Sequence, residues 1–124
     1  MDKNFIIYLC GLHSLGFAIF HMFFWKIFKW DTDLKNVSKP NKAIIQIANL
    51  RLIYIFLFFS FVCFFFTEDL YSTGLGKAFL IGVSLFWIGR TVEQFIFLNL
   101  NHSLIHLLTF LFIIGAILSI LPLL

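Results

Sequence analysis

Charge is the scarcest property of this sequence. Asp, Glu, Lys and Arg make up only 12% of it, where a soluble domain carries about 25%. That shortage excludes a water-soluble globular protein and places the chain's work in or at a bilayer. Long hydrophilic stretches are missing too, so a second, soluble domain is not expected, and nucleic acid is not expected as a partner. Cysteine is rare: Cys10 and Cys63 both lie inside apolar runs. Neither a disulfide framework nor a CxxC redox pair is indicated, and each thiol is expected to serve as a small buried hydrophobe. The N-terminus lacks the basic start and small-residue cleavage site of a signal peptide. Ile7, Tyr8 and Leu9 make a poor lipobox before Cys10. The first apolar run is therefore expected to be a span.

What is present is hydrocarbon. Hydrophobic residues make up 61% of the chain, with 19 Phe, and mean hydropathy is +1.00. Phe, Ile and Leu suit lipid-facing positions, where any apolar side chain serves. A spanning helix needs about 20 apolar residues, and four stretches qualify: 4–28, 41–66, 77–98 and 103–123. Between them lie KWDTDLKNVSKPNK, TEDLYSTGLG and NLNHS. Ser38, Pro40 and Asn41 form a start signal for the second helix. Short loops make neighbours antiparallel. The predicted fold class is all-α: a polytopic membrane protein, an antiparallel up-down bundle of four transmembrane helices forming one domain over 1–124.

Lys and Arg in the loops set the orientation. The first loop region holds Lys26, Lys29, Lys35, Lys39 and Lys42, while the second holds Lys77 beside Glu68 and Asp69. The first and third loops are expected in the cytoplasm and both termini outside, as in a bacterial inner membrane. Trp25 and Trp30 suit an interfacial aromatic belt, and Lys3 argues against this orientation.

Polar groups inside a membrane turn toward protein, so their helical spacing shows which faces look inward. The second segment carries Lys42, Gln46, Asn49, Ser60, Cys63 and Thr67 on one face. The fourth carries His102, His106, Thr109, Ala116 and Ser119, and the first His13 and His21. The third carries Gly82, Gly89 and Glu93 on one side, with Arg90 adjacent and Gln94 extending the patch. At 1.5 Å per residue, His21, Gln46, Asn49, Arg90, Glu93 and His106 all fall within roughly 5–13 Å of the cytoplasmic boundary, with His102 at that boundary. This shared layer is expected to be a ligand site. Arg51 lies about 200° around from Asn49. It is expected to snorkel to headgroups or to face a neighbouring subunit, with Tyr54 one turn on. Gly82 and Gly89, and Gly11, Ser14 and Ala18, permit close helix contact.

Arg90 and Glu93, in GRTVEQ, read as an intramembrane charge pair, although Arg before Glu is the less favoured intrahelical order. A charged residue at a helix centre costs about 2.5–3.5 kcal/mol on insertion scales, so this pair points to function. A polar clamp from Glu93 to His106 or Asn49 is the structural alternative. The sequence supports several functions. The first is binding, or acting on, an anionic amphiphile of lipid, isoprenoid or quinone type. Arg90, and Arg51 at the headgroup, would hold its charge, and Glu93 or His106 would be the general base. The second is an oligomeric proton or ion channel or transporter using Glu and His relays. The third is a haem held by His21 and His106, or a metal on the HxxxH pair His102 and His106. The fourth is an accessory subunit of a membrane complex. Membrane lipids and further copies of the chain are the expected partners.

Overall fold

The computed structural model describes residues 2–124. The fold is all-α, with no strand among the described residues. Its helices are α1 (Lys3–Met22), α2 (Phe24–Ile27), α3 (Trp30–Asp33), α4 (Lys39–Phe65), α5 (Thr67–Ser72), α6 (Gly74–Phe97) and α7 (Ser103–Ile120), and α7 runs into a 3-10 turn, Leu121–Leu123. Four helices are long and apolar enough to cross a membrane: Lys3–Met22, Lys39–Phe65, Gly74–Phe97 and Ser103–Leu123. The chain is a small integral membrane protein.

Two element boundaries differ from the sequence expectation. The first span ends at Met22, not at Phe28. Phe23 leaves helical geometry (φ −96°, ψ 6°), and Lys29 adopts a left-handed conformation (φ 51°). The short α2 and α3 lie on either side of Lys29, and the Thr32 hydroxyl donates to its carbonyl at 3.0 Å. Lys26 is the only polar residue from Phe23 to Phe28, so composition gives little hint of this break. TEDLYSTGLG, expected as a turn, holds α5. Its Thr67 hydroxyl donates to the Cys63 carbonyl at 2.7 Å, and Thr67 and Leu70 are buried.

Capping then starts α6. The Thr73 hydroxyl oxygen accepts from the Gly76 N–H at 2.9 Å, satisfying one of the orphan donors of a helix start. A Cβ at Gly76 would land on the Asp69 carbonyl and the Leu70 backbone, so only glycine lets α5 close on α6 here. Pro40 sits in the first turn of α4, where a missing N–H costs nothing, and Lys42 N–H bonds the Ser38 carbonyl at 2.9 Å.

The chain divides into two compact units, residues 11–62 and residues 1–10 with 63–124. The first has a core of Phe17, Ala18, Leu34 and Phe56. The second has a core of Ile6, Ile7, Cys10, Cys63, Leu70, Leu80, Val83, Trp87 and Phe112. In the second unit α6 packs on α7, with the Trp87 and Phe112 rings stacked at 5.5 Å and 20°.

Candidate functional site

In the 11–62 unit, Asn49 and Ser60 on the polar face of α4 are buried, Gln46 is half-buried and Lys42 is exposed. Asn49 is 3% exposed. Its amide nitrogen donates to the His21 backbone carbonyl at 2.9 Å, while its Oδ1 has no hydrogen-bond partner. Ser60 Oγ donates to the Gly11 carbonyl at 3.0 Å. The Trp25 indole N–H donates to Gln46 Oε1 at 2.9 Å, and Gln46 Nε2 donates to the Lys42 carbonyl at 3.2 Å. The His21 imidazole is buried. Its Nδ1–H donates to the Phe17 carbonyl at 2.7 Å, and its ring stacks on Phe24 at 4.2 Å with Phe56 at 5.1 Å. His21 and Asn49 therefore meet, but through the His21 backbone. Arg51 is exposed on the opposite side of α4, 5.7 Å from the Tyr54 ring.

In the other unit, GRTVEQ comes apart. The expected charge pair does not form, and there is no ion pair among the described residues. Arg90 is half-buried, its guanidinium 4.7 Å from the Phe112 ring centroid, a cation–π contact. Glu93 is exposed, and Gln94, one residue on, is 2% exposed. Adjacent residues diverge by about 100° around a helix, which separates the two. Gln94 Nε2 donates to the Ile105 carbonyl at 3.3 Å, and its Oε1 has no partner. Glu93 does not clamp His106, whose Nε2 bonds Asn101 Oδ1 at 3.0 Å. His102 caps α7, its Nδ1 accepting from the Leu104 N–H at 3.1 Å. Sequence reasoning passed over Ser84, whose hydroxyl donates to the Ala116 carbonyl at 2.8 Å and ties α6 to α7. Its place on the helix face of the buried Leu80 and Trp87 was the available signal. Among the described residues no group of three or more His, Cys, Asp and Glu could hold a metal ion.

Within the polar layer read from the sequence, His21, Gln46, Asn49 and Gln94 thus donate to backbone carbonyls. Each such bond takes up a group that lipid could not satisfy. Gly82 and Gly89 depart from expectation as well, because a Cβ at either would meet nothing within 4 Å. They do not bring helices of the chain together.

Sequence reasoning also missed a groove of about 460 Å³ along α6 and α7. It is lined by Ile81, Leu85, Ile88 and Val92 from α6, and by Ile113, Ile117 and Ile120 from α7, with Ser84, Thr91 and Ala116. Their recurrence every three or four residues was a visible signal, although lipid-facing positions show the same pattern. The Thr91 hydroxyl donates to the Trp87 carbonyl at 2.8 Å. His106, Ile113 and Ile120 recur at seven-residue intervals, so they share one face of α7, and His106 lies about 10 Å beyond Ile113 along the axis. Arg90 and Glu93 lie about 160° and 140° around α6 from Ile88. Neither lines the groove.

Compared with known proteins, the chain matches no family model, no curated protein and no solved structure, so its function is argued from its own residues.

Proposed function

We propose that this chain binds an amphiphile, with the hydrocarbon tail in the α6–α7 groove and the polar head at the level of His106 and Asn101. The observation that carries this reading is the groove itself. Its volume of about 460 Å³ falls in the range of roughly 300–1,000 Å³ common to small-molecule sites. Its lining is almost wholly aliphatic. His106 follows on the same face of α7 and bonds Asn101 in the loop before that helix, and both residues are exposed. Such a groove offers a chain-shaped tail more contact than loose annular lipid makes.

The head is narrowed by what the groove lacks. An anionic headgroup calls for a cation, and no Lys or Arg lines the groove. The imidazole and amide of His106 and Asn101 instead suit a hydroxyl or carbonyl oxygen. Of the amphiphiles that the sequence suggests, an isoprenoid alcohol or a quinone therefore fits better than a phosphate-headed lipid. Glu93, about 140° around α6 from the groove, is poorly placed as a general base for such a ligand, so the reading is of binding.

A photoreactive isoprenoid-alcohol probe tests this on the purified full chain in lipid nanodiscs. Labelling is expected on α6 and α7 at groove positions, and Ile88→Trp, which fills the groove, is expected to remove most of it. His106→Ala is expected to weaken binding about tenfold, equivalent to about 1.4 kcal/mol. Labelling spread evenly over all four spans would sink the reading.

A further inference from the structure

The outer faces of α4 and α6 carry charges that make no ion pair among the described residues. Arg51 is exposed in a stripe with Ile44, Ile47, Tyr54 and Phe58, all exposed, and its contact is the Tyr54 ring. Glu93 is exposed on α6; its charge acts on Arg90, three residues before it, but the two form no ion pair. Gly89 and Gly82 lie on the same side of α6, one turn and three turns before it, with open space where a Cβ would stand. We infer that a second copy of this chain covers these faces, α4 of one copy packing against α6 of the other, with Arg51 paired to Glu93 between copies.

Charge complementarity leads. Neither a guanidinium nor a carboxylate is solvated by hydrocarbon, and intramembrane charges pair where they can. Depth agrees with the pairing. A chain that crosses the membrane with each span returns the start of α4 and the end of α6 to one side. Arg51 is then about 12 Å in, counted from Ala43, and Glu93 about 6 Å in, counted from Phe97 at the end of α6. Helical side chains lean toward their own N-terminus, so Arg51 leans out toward that side and Glu93 leans inward. Both tilts shrink the difference.

Register agrees as well. With Arg51 opposite Glu93, Tyr54 lies about 4.5 Å deeper and Gly89 about 6 Å deeper. Phe61 lies about 15 Å deeper and Gly82 about 16.5 Å. Two exposed aromatic rings, seven residues apart on α4, therefore meet two open glycines seven residues apart on α6. Small residues at a membrane helix contact let the partner come close. Because different faces of the two copies meet, the contact is heterologous. It does not depend on what fills the α6–α7 groove.

The test uses full-length chain in phosphatidylcholine liposomes, with energy transfer between donor- and acceptor-labelled copies measured against the protein-to-lipid ratio. Wild type is expected to self-associate. Arg51→Glu and Glu93→Arg alone are each expected to weaken this about tenfold or more, and mixing the two variants, which sets opposite charges together again, is expected to restore it. Arg51→Gln and Glu93→Gln, with helicity checked by circular dichroism, give the same comparison if a charge reversal fails to insert; both must weaken association. Wild type that stays monomeric at every ratio overturns the inference. So do single variants that associate as wild type does, and a mixture no tighter than its components.

Discussion

On α4, Asn49 and Arg51 stand two residues apart and face opposite ways. On α6, Gln94 and Glu93 are neighbours about 100° apart, the first buried and the second exposed. In each pair the amide goes inside and the charge outside. An amide N–H can be satisfied by one backbone carbonyl, and Asn49 and Gln94 each find one, at His21 and Ile105. A full charge needs a counter-charge or several dipoles, and neither helix interface supplies one. The inward polar residues therefore hold the chain together, while the outward charges remain for a contact beyond it.

The strongest way to break this comparison is to put a charge where an amide belongs. Asn49→Asp replaces the donor to the His21 carbonyl with a buried, acceptor-only carboxylate. A loss of about 3–5 kcal/mol is expected, the range measured when a buried charge loses its partner. Steric-trapping unfolding in bicelles measures it, and a loss below about 1 kcal/mol would show that the new carboxyl is hydrated or held protonated, its O–H donating to the same carbonyl. Next in size is Gly76→Ala. Its Cβ would strike the Asp69 carbonyl, so backbone must shift, at about 1–3 kcal/mol by analogy with overpacked cores. The same unfolding experiment reads it.

Asn49→Leu and Gln94→Leu test the clamps more gently. Each removes one bond to a carbonyl and also a buried oxygen that has no partner. Hydrogen bonds between membrane helices average about 0.6 kcal/mol and reach about 1.7. A loss within that range is expected for each in bicelle unfolding. A gain in stability would mean that the unpaired Oδ1 or Oε1 outweighs the bond, and that these amides are kept for something other than folding.

Much of the fold was legible beforehand because lipid imposes a simple rule. Twenty apolar residues make a span, and polar residues on a span turn inward. Asn49, Ser60 and Cys63 follow that rule on α4, and Thr67 at the start of α5. Their partners were not legible, because a backbone carbonyl such as that of Gly11 or His21 has no sequence signature. Adjacency in sequence groups Glu93 with Gln94, although neighbours on a helix diverge by about 100°. The α6–α7 groove was hidden for another reason. Its aliphatic lining has the same composition as any lipid-facing surface, and only the packing of two helices turns such residues into a cavity.

The smallest expected effect sharpens the comparison most, because it concerns a residue that the folded chain hardly uses. Gly89 sits on the outer side of α6 with nothing near its missing Cβ. In an isolated chain, Gly89→Ala adds no clash and removes backbone freedom from the unfolded state. It should leave stability unchanged or raise it by up to about 1 kcal/mol, the opposite sign from Gly76→Ala on the same helix. Glycine at position 89 is then a cost to the single chain, and its use must lie in a contact that a single chain does not make. Gly89→Leu separates the two roles. In dilute bicelles, one chain per bicelle, it should unfold with stability equal to or above that of wild type. In crowded liposomes it should reduce energy transfer between copies, because Tyr54 of a second copy would lose the space it needs. If Gly89→Leu instead destabilises the dilute chain by more than about 1 kcal/mol, Gly89 belongs with Gly76 among the residues that fold the chain, and the outer face of α6 loses its claim to a separate purpose.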